Sequence, residues 1–198
     1  MSAAIRPAGE AELAAVGALV ALSFDRLEAN HYLVPDGADR LRVMGDFFTL
    51  YTEHAARHGS VDVVPGADGI VATAVWFDRT APMTEPPSYD SRLAALAGPY
   101  LDRFEALDEL FDAHHPEPPH WHLAFLAVHP DAQGRGLGGA LMARTHEGLD
   151  AAGVPAYLEA TNGDNVRLYR RNGYTDMAPF EIPLPDGTPF FRMWRHPA

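Results

Sequence analysis

The sequence contains neither cysteine nor lysine. The first absence excludes a disulfide framework, a thiolate nucleophile and cysteine-bound zinc. Because cysteine usage then says nothing about compartment, the expectation is the default one, a cytoplasmic protein. The second absence excludes a GxxxxGK[ST] phosphate loop, a Schiff-base lysine and a pyridoxal-phosphate anchor. Serine is sparse and never stands in a GxSxG setting, so an elbow-type serine hydrolase has no nucleophile. Long apolar runs are also missing. The stretch from Leu13 to Phe24 follows Glu10 and Glu12 and is too short for a bilayer, so no membrane partner is expected. Positive charge is scarce as well. Fifteen arginines face 27 carboxylates for a net charge of -12, which speaks against a nucleic-acid surface and for steering of cationic partners.

A chain of 198 residues has room for one well-buried core, and a single domain over 1–198 is expected. Residues 3 to 8 suit an entry strand. Leu13, Val16, Val20 and Phe24 then share one helical face, as do Leu41, Met44, Phe48, Tyr51 and Ala55 on a second helix from Asp39 to His58. From Ser60 the period changes to that of strands, with VDVV and IVATAVWF around a PGADG turn. Residues 79 to 119 interrupt this pattern as a proline-flanked insertion with a helical stretch near Ser91 to Phe111. Eight carboxylates against Arg92 and Arg103 give residues 81 to 118 a charge of -6, half the chain's excess. The insertion reads either as a solvated helix face or as a wall or lid that attracts cations. Trp121 to Val128, a helix from Leu137 to Ala152 and Ala156 to Ala160 form a βαβ unit with parallel strands. A short helix from Asn165 to Asn172, capped by Gly173, precedes a C-terminal hairpin around PLPDG. Its final FFRMW either completes the sheet or pairs across a homodimer. The order gives an α/β chain with a mixed sheet.

The densest chemical signal is HWHLAFLAVHPDAQGRGLGG, His120 to Gly139, with four glycines in the six residues from Gly134. Amides at a helix start have no intrahelical acceptor, and glycines let them approach a phosphate closely. Two patterns fit. Gly134, Gly136 and Gly139 satisfy GxGxxG, with Glu159 near the place of a ribose-binding acid in a dinucleotide fold. Against that, His129 to Gln133 separate the strand from the first glycine, and only about forty residues follow Glu159. The other pattern is [QR]xxGx[GA], met by Gln133 to Gly138 after the LAV of Leu126 to Val128. With EATNGDNVRLYRRNGY downstream, the chain resembles the GNAT superfamily of acetyl-CoA-dependent N-acyltransferases over about 55 residues, from His120 to Tyr174.

The resemblance implies a GNAT-like, mostly antiparallel sheet flanked by helices, with a V-shaped splay between two central parallel strands that admits the pantetheine arm. Acetyl-CoA would lie along Leu126, Ala127 and Val128, with the Leu126 N–H holding the thioester carbonyl. Gln133, Gly134, Arg135, Gly136, Leu137, Gly138 and Gly139 would hold the pyrophosphate, and Asn165 the pantetheine, unless Asn165 only builds a helix-start turn with Asp164. Tyr169 matches the family's tyrosine acid, and its phenol, with an ordinary pKa of about 10, is protonated at neutral pH. The base is His122, where aralkylamine acetyltransferases of the superfamily carry a histidine, or Glu159 on the neighbouring strand. Position 124 is alanine where those relatives carry a second histidine. His114, His115, His120 and His122 invite a metal, but prolines break helical spacing and no carboxylate completes a ligand pattern, so none is expected. Arg167, Arg170 and Arg171 suit either nucleotide phosphates or the helix dipole. The implied activity is acetyl transfer to a small, cationic primary amine by direct attack. A CoA-binding sensor without turnover is the other reading.

Overall fold

A computed structural model describes residues 4–198. Strands β1 (Arg6–Pro7), β2 (Gly59–Pro65), β3 (Ile70–Arg79), β4 (His120–Val128), β5 (Ala156–Ala160), β6 (Thr175–Pro183) and β7 (Pro189–Arg195) form one sheet. Their order is β1-β2-β3-β4-β5-β7-β6. Every neighbouring pair is antiparallel except β4 and β5. The helices are α1 (Leu13–Phe24), α2 (Glu28–Leu33), α3 (Gly37–His58), α4 (Tyr89–Ala97), α5 (Leu101–His114), α6 (Leu137–Ala152) and α7 (Gly163–Arg171).

Strand alternation divides the core in two. Val75 and Phe77 of β3 join the cluster under α1 to α5, whereas Ala74 and Trp76 join the cluster under α6 and α7. The anchor of the first layer is α3, whose Asp36 cap accepts from the Ala38 N–H at 2.8 Å and whose Met44, Phe47, Phe48 and Ala55 are buried. Helix α1 lies directly on it. A Cβ at Gly17 would stand 2.2 Å from Thr49 Oγ1 and 2.9 Å from the Gly45 carbonyl, so only glycine permits this approach.

The insertion folds as two helices, not one. Gly98, at φ 53°, and Pro99 break the stretch that sequence periodicity joins, and α5 starts afresh at Leu101. Its Phe104 and Leu107 are buried in the first core, each contributing about 2–3 kcal/mol by burial. The opposite face carries carboxylates.

Three relationships position the site. The β3–β4 register shifts between Val75 and Trp76, leaving Ala124 as an extra residue on β4. The parallel β4–β5 pairing covers only Trp121 with Ala156 and His122 with Tyr157, so beyond His122 the strands diverge. Finally, β7 lies between β5 and β6 and pairs with both. Phe190 to Trp194 therefore complete the sheet and offer no free edge to a second chain. The entry strand is shorter than its expected span of 3 to 8, whose first residue lies outside the described residues.

Candidate active site

The elbow after β4 is held by side chains that close on one carbonyl. Ser23 Oγ, from the end of α1, and Gln133 Nε2 both donate to the Val128 carbonyl, at 3.1 and 3.2 Å. The chain then passes Gly134 and Gly136 at φ 74° and 78°, a left-handed conformation that side chains disfavour, and enters α6 at Leu137. The first helical bond runs from the Ala140 N–H to the Gly136 carbonyl. Among the described residues, none of the six amides from Gly134 to Gly139 has a protein acceptor. A Cβ at Gly134, Gly136 or Gly139 would meet open space, whereas Gly138 packs against the side chains of Leu126 and Val128. Six free donors around an open concavity at a helix start fit a pyrophosphate. Arg135 turns back to donate to the Asp131 carbonyl at 2.7 Å and stays exposed.

The gap between β4 and β5 is lined by main-chain groups. The His129 N–H donates to the Val71 carbonyl at 2.8 Å, so alternation turns Ala127 toward β3 and turns the N–H groups of Leu126 and Val128 toward the gap. This corrects the expectation for Ala127. Its polar groups face Thr73 and its methyl is buried in the first core, so it contributes packing and no hydrogen bond to the gap.

Glu159 and His122, rivals in sequence, form one hydrogen-bonded pair, with His122 Nε2 2.8 Å from Glu159 Oε2. The His122 side chain is 15% exposed and that of Glu159 6%. Burial alone would raise the Glu159 carboxyl, but the charge and hydrogen bond of His122 outweigh it and hold the acid below its ordinary range. An ionised carboxylate only accepts, so His122 donates from Nε2, and Nδ1 is the ring nitrogen left open to a ligand. The other histidines of the run go separate ways. His114 and His120 bond the Leu110 and Pro118 carbonyls through Nδ1, at 2.8 and 2.7 Å. His115 accepts at Nε2 from Arg79 Nε at 3.2 Å. Burial, with the nearby His122 and Arg79 charges, pushes His115 down to about 3, so it stays neutral.

Tyr169, on α7, is 8% exposed, and its hydroxyl has no hydrogen-bond partner among the described residues. Burial raises its pKa, so the phenol retains its proton. The α7 cap is Asn162, whose Oδ1 accepts from the Asn165 N–H at 2.9 Å, and not Asp164. Asn165 donates its side-chain N–H to Thr161 Oγ1 at 2.8 Å and keeps its carbonyl oxygen free. Arg167 and Arg170 pair with Asp164 and Asp176, which removes them from the free phosphate ligands.

His122 and Glu159 open into a cavity of about 670 Å³ on the α1–α5 side. Phe48, Phe77 and Phe125 supply apolar wall. Glu85, Asp90, Glu105, Asp108, Glu109 and Asp112, all from the insertion, supply carboxylates, and none is ion-paired among the described residues. Asp108 accepts from the Tyr89 hydroxyl at 2.7 Å, and burial lifts its carboxyl to about 6, with Asp112 adding repulsion against the two tyrosine hydrogen bonds that lower it. Three residues on this wall, Asn30, His54 and Glu159, each hold an enclosed polar atom without a partner. Such atoms fit a polar ligand better than an empty cavity. Arg79, His115 and the Tyr51–Tyr89–Asp108 group escaped sequence reasoning because long-range packing assembles them. The one local signal was His115 within the histidine run.

A family model for the acetyltransferase (GNAT) domain matches residues 104–176. Residues 104–176 thus carry the similarity to a GNAT acetyltransferase domain. Across the whole fold it is similar to a solved Corynebacterium glutamicum protein described as histone acetyltransferase HPA2 and related acetyltransferase. The identity is 29%, the TM-score 0.74, and the alignment covers 100% of this chain and 98% of that one. Arylalkylamine N-acetyltransferase 2 of Aedes aegypti shares the fold at a TM-score of 0.61 and 12% identity, with 100% of both chains covered. A GCN5-like protein acetyltransferase of Mycobacterium tuberculosis is 44% identical over 61 residues, 29% of this chain and 30% of that relative. The match thus spans less than a third of that relative's length. The matched segment runs from α5 through the glycine loop and α7 into β6, and so includes His122, Glu159 and Tyr169. No helix among the described residues is long and apolar enough to cross a membrane.

Proposed function

We propose that the chain transfers an acetyl group from acetyl-CoA to the primary amine of a small cationic acceptor by direct attack, in the cytoplasm. The observation that carries this reading is the His122–Glu159 pair, which stands between the open strand gap and an acid-lined cavity. Bound acetyl-CoA supplies an acyl carbon activated as a thioester. Everything else falls to the chain.

The amides of Gly134 to Gly139 hold the pyrophosphate, and the Leu126 and Val128 main chain pairs with the pantetheine in place of a strand. The Leu126 N–H also polarises the thioester carbonyl. An alkylammonium ion with a pKa near 10 must lose its proton before attack. His122 Nδ1 takes that proton, directly or through a water, while Glu159 fixes the imidazole and stabilises its cation. Attack forms the C–N bond in a tetrahedral centre; as the C–S bond then breaks, Tyr169 gives its proton to the departing sulfur and recovers one from the acylated nitrogen, directly or through a water. The insertion forms the acceptor wall, and its unpaired carboxylates raise the local concentration of cations.

Thiol release from acetyl-CoA with a panel of primary amines tests the reading, with product mass confirming a gain of one acetyl group. Turnover that requires both an amine and His122 supports it. Tight CoA binding without turnover on any amine would instead favour a sensor.

A further inference from the structure

The acid-lined cavity contains one guanidinium. Arg79, at the end of β3, stands on the wall beside His115, His122 and Glu159. Other arginines packed into the fold have their Nη groups engaged: Arg195 pairs with Asp150 at 2.7 Å, Arg40 donates to Asp25 and to the Val34 carbonyl, and Arg192 donates to the Pro179 carbonyl at 3.1 Å. Arg79 is different. Its Nε donates to His115 Nε2, but among the described residues neither Nη forms a hydrogen bond and the side chain joins no ion pair. Asp112 and Glu159 act on it only at longer range, and burial works against its charge. A half-buried guanidinium with an unused fork, next to the proposed base, lacks the anion that would offset its desolvation.

We propose that Arg79 is the anchor for a carboxylate on the acceptor, and hence that the acceptor is an amino acid-type zwitterion. This rests on the acetyl-transfer reading above. The carboxylate docks on the free Nη groups while the amine is presented to His122. Carboxylate suits the place better than a dianionic phosphate, because Asp112 and Glu159 already make the surroundings negative. The acidic mouth and the single inner cation then address the two ends of one molecule. His115 keeps the fork in place: it is neutral and accepts the Arg79 Nε–H, which leaves both Nη groups for the ligand.

The test compares matched sets that differ only in this group: phenylalanine, phenylalaninamide and phenethylamine; lysine, lysinamide and cadaverine. Acetyl-CoA is the donor and kcat/KM is the readout. The wild-type chain should favour the free acid over its amide in the accepted set by roughly 100-fold, mostly in KM. In Arg79→Gln the ratio should collapse toward one, and Arg79→Lys should keep part of it. Turnover with equal use of acid and amide, or a ratio unchanged in Arg79→Gln, overturns the anchor and leaves acetyl transfer standing. No turnover on any amine, with acetyl-CoA bound, overturns acetyl transfer and the anchor together. The wild-type ratio decides the matter even if the variants fail to fold.

Discussion

His122 Nε2, on the last paired rung of β4 and β5, lies 2.8 Å from Oε2 of Glu159, two residues past that rung where the strands diverge. The two side chains therefore act as one unit, with the carboxylate setting the tautomer and the imidazole offering Nδ1. Coupled groups of this kind do not lose activity additively. His122→Gln and Glu159→Gln should each lower kcat by about 100-fold, and the double variant should fall little further. Steady-state kinetics on all three variants checks this. Losses that multiply would mean the residues act separately.

Tyr169 is assigned to the sulfur. Tyr169→Phe keeps the ring that packs against Tyr174 and removes only the hydroxyl. CoA affinity measured by calorimetry should stay within about threefold, while thiol release slows by roughly 100-fold. A loss of CoA affinity with unchanged turnover would place the hydroxyl in binding and not in proton transfer.

Asp108 is held at a cost to stability. Its carboxyl is raised from 3.8 to about 6, chiefly by burial, so the folded chain binds the proton more tightly than the unfolded one. Stability contributed by the protonated acid is present below pH 4 and is lost as pH rises toward 6, because there the folded state holds more protons. Asp108→Asn should therefore melt at nearly the parent temperature at pH 4. At pH 7.5 it should gain about 1–2 kcal/mol after solvent screening, or roughly 3–6 °C for a chain of this size. Thermal denaturation at both values checks the sign. The same variant should raise KM for a cationic acceptor.

Much of this arrangement was legible in the residues, because it rests on local rules. The helical period of Leu41 to Ala55 reports α3, and the glycines at 134 and 136 report a left-handed entry into α6. The cofactor-side motifs are contiguous in sequence, so a resemblance found them. What stayed hidden depends on long-range assembly. The placement of β7 between β5 and β6 is a topological choice that no local pattern encodes. The six-residue helix α2 is too short to show a period, and the Gly98–Pro99 break lay inside a periodic run. Arg79 reads as the first residue of the insertion until β3 extends to it, pairs it with His120 and brings His115 at the end of α5 within reach.

Six amides and one strand gap are what would hold the CoA molecule. A crystal structure with CoA should show pyrophosphate oxygens within hydrogen-bond distance of the 134–139 amides, and pantetheine amides paired with Leu126 and Val128 between β4 and β5. A CoA molecule bound elsewhere, or β4 and β5 paired along their whole length with no room for the arm, would contradict it.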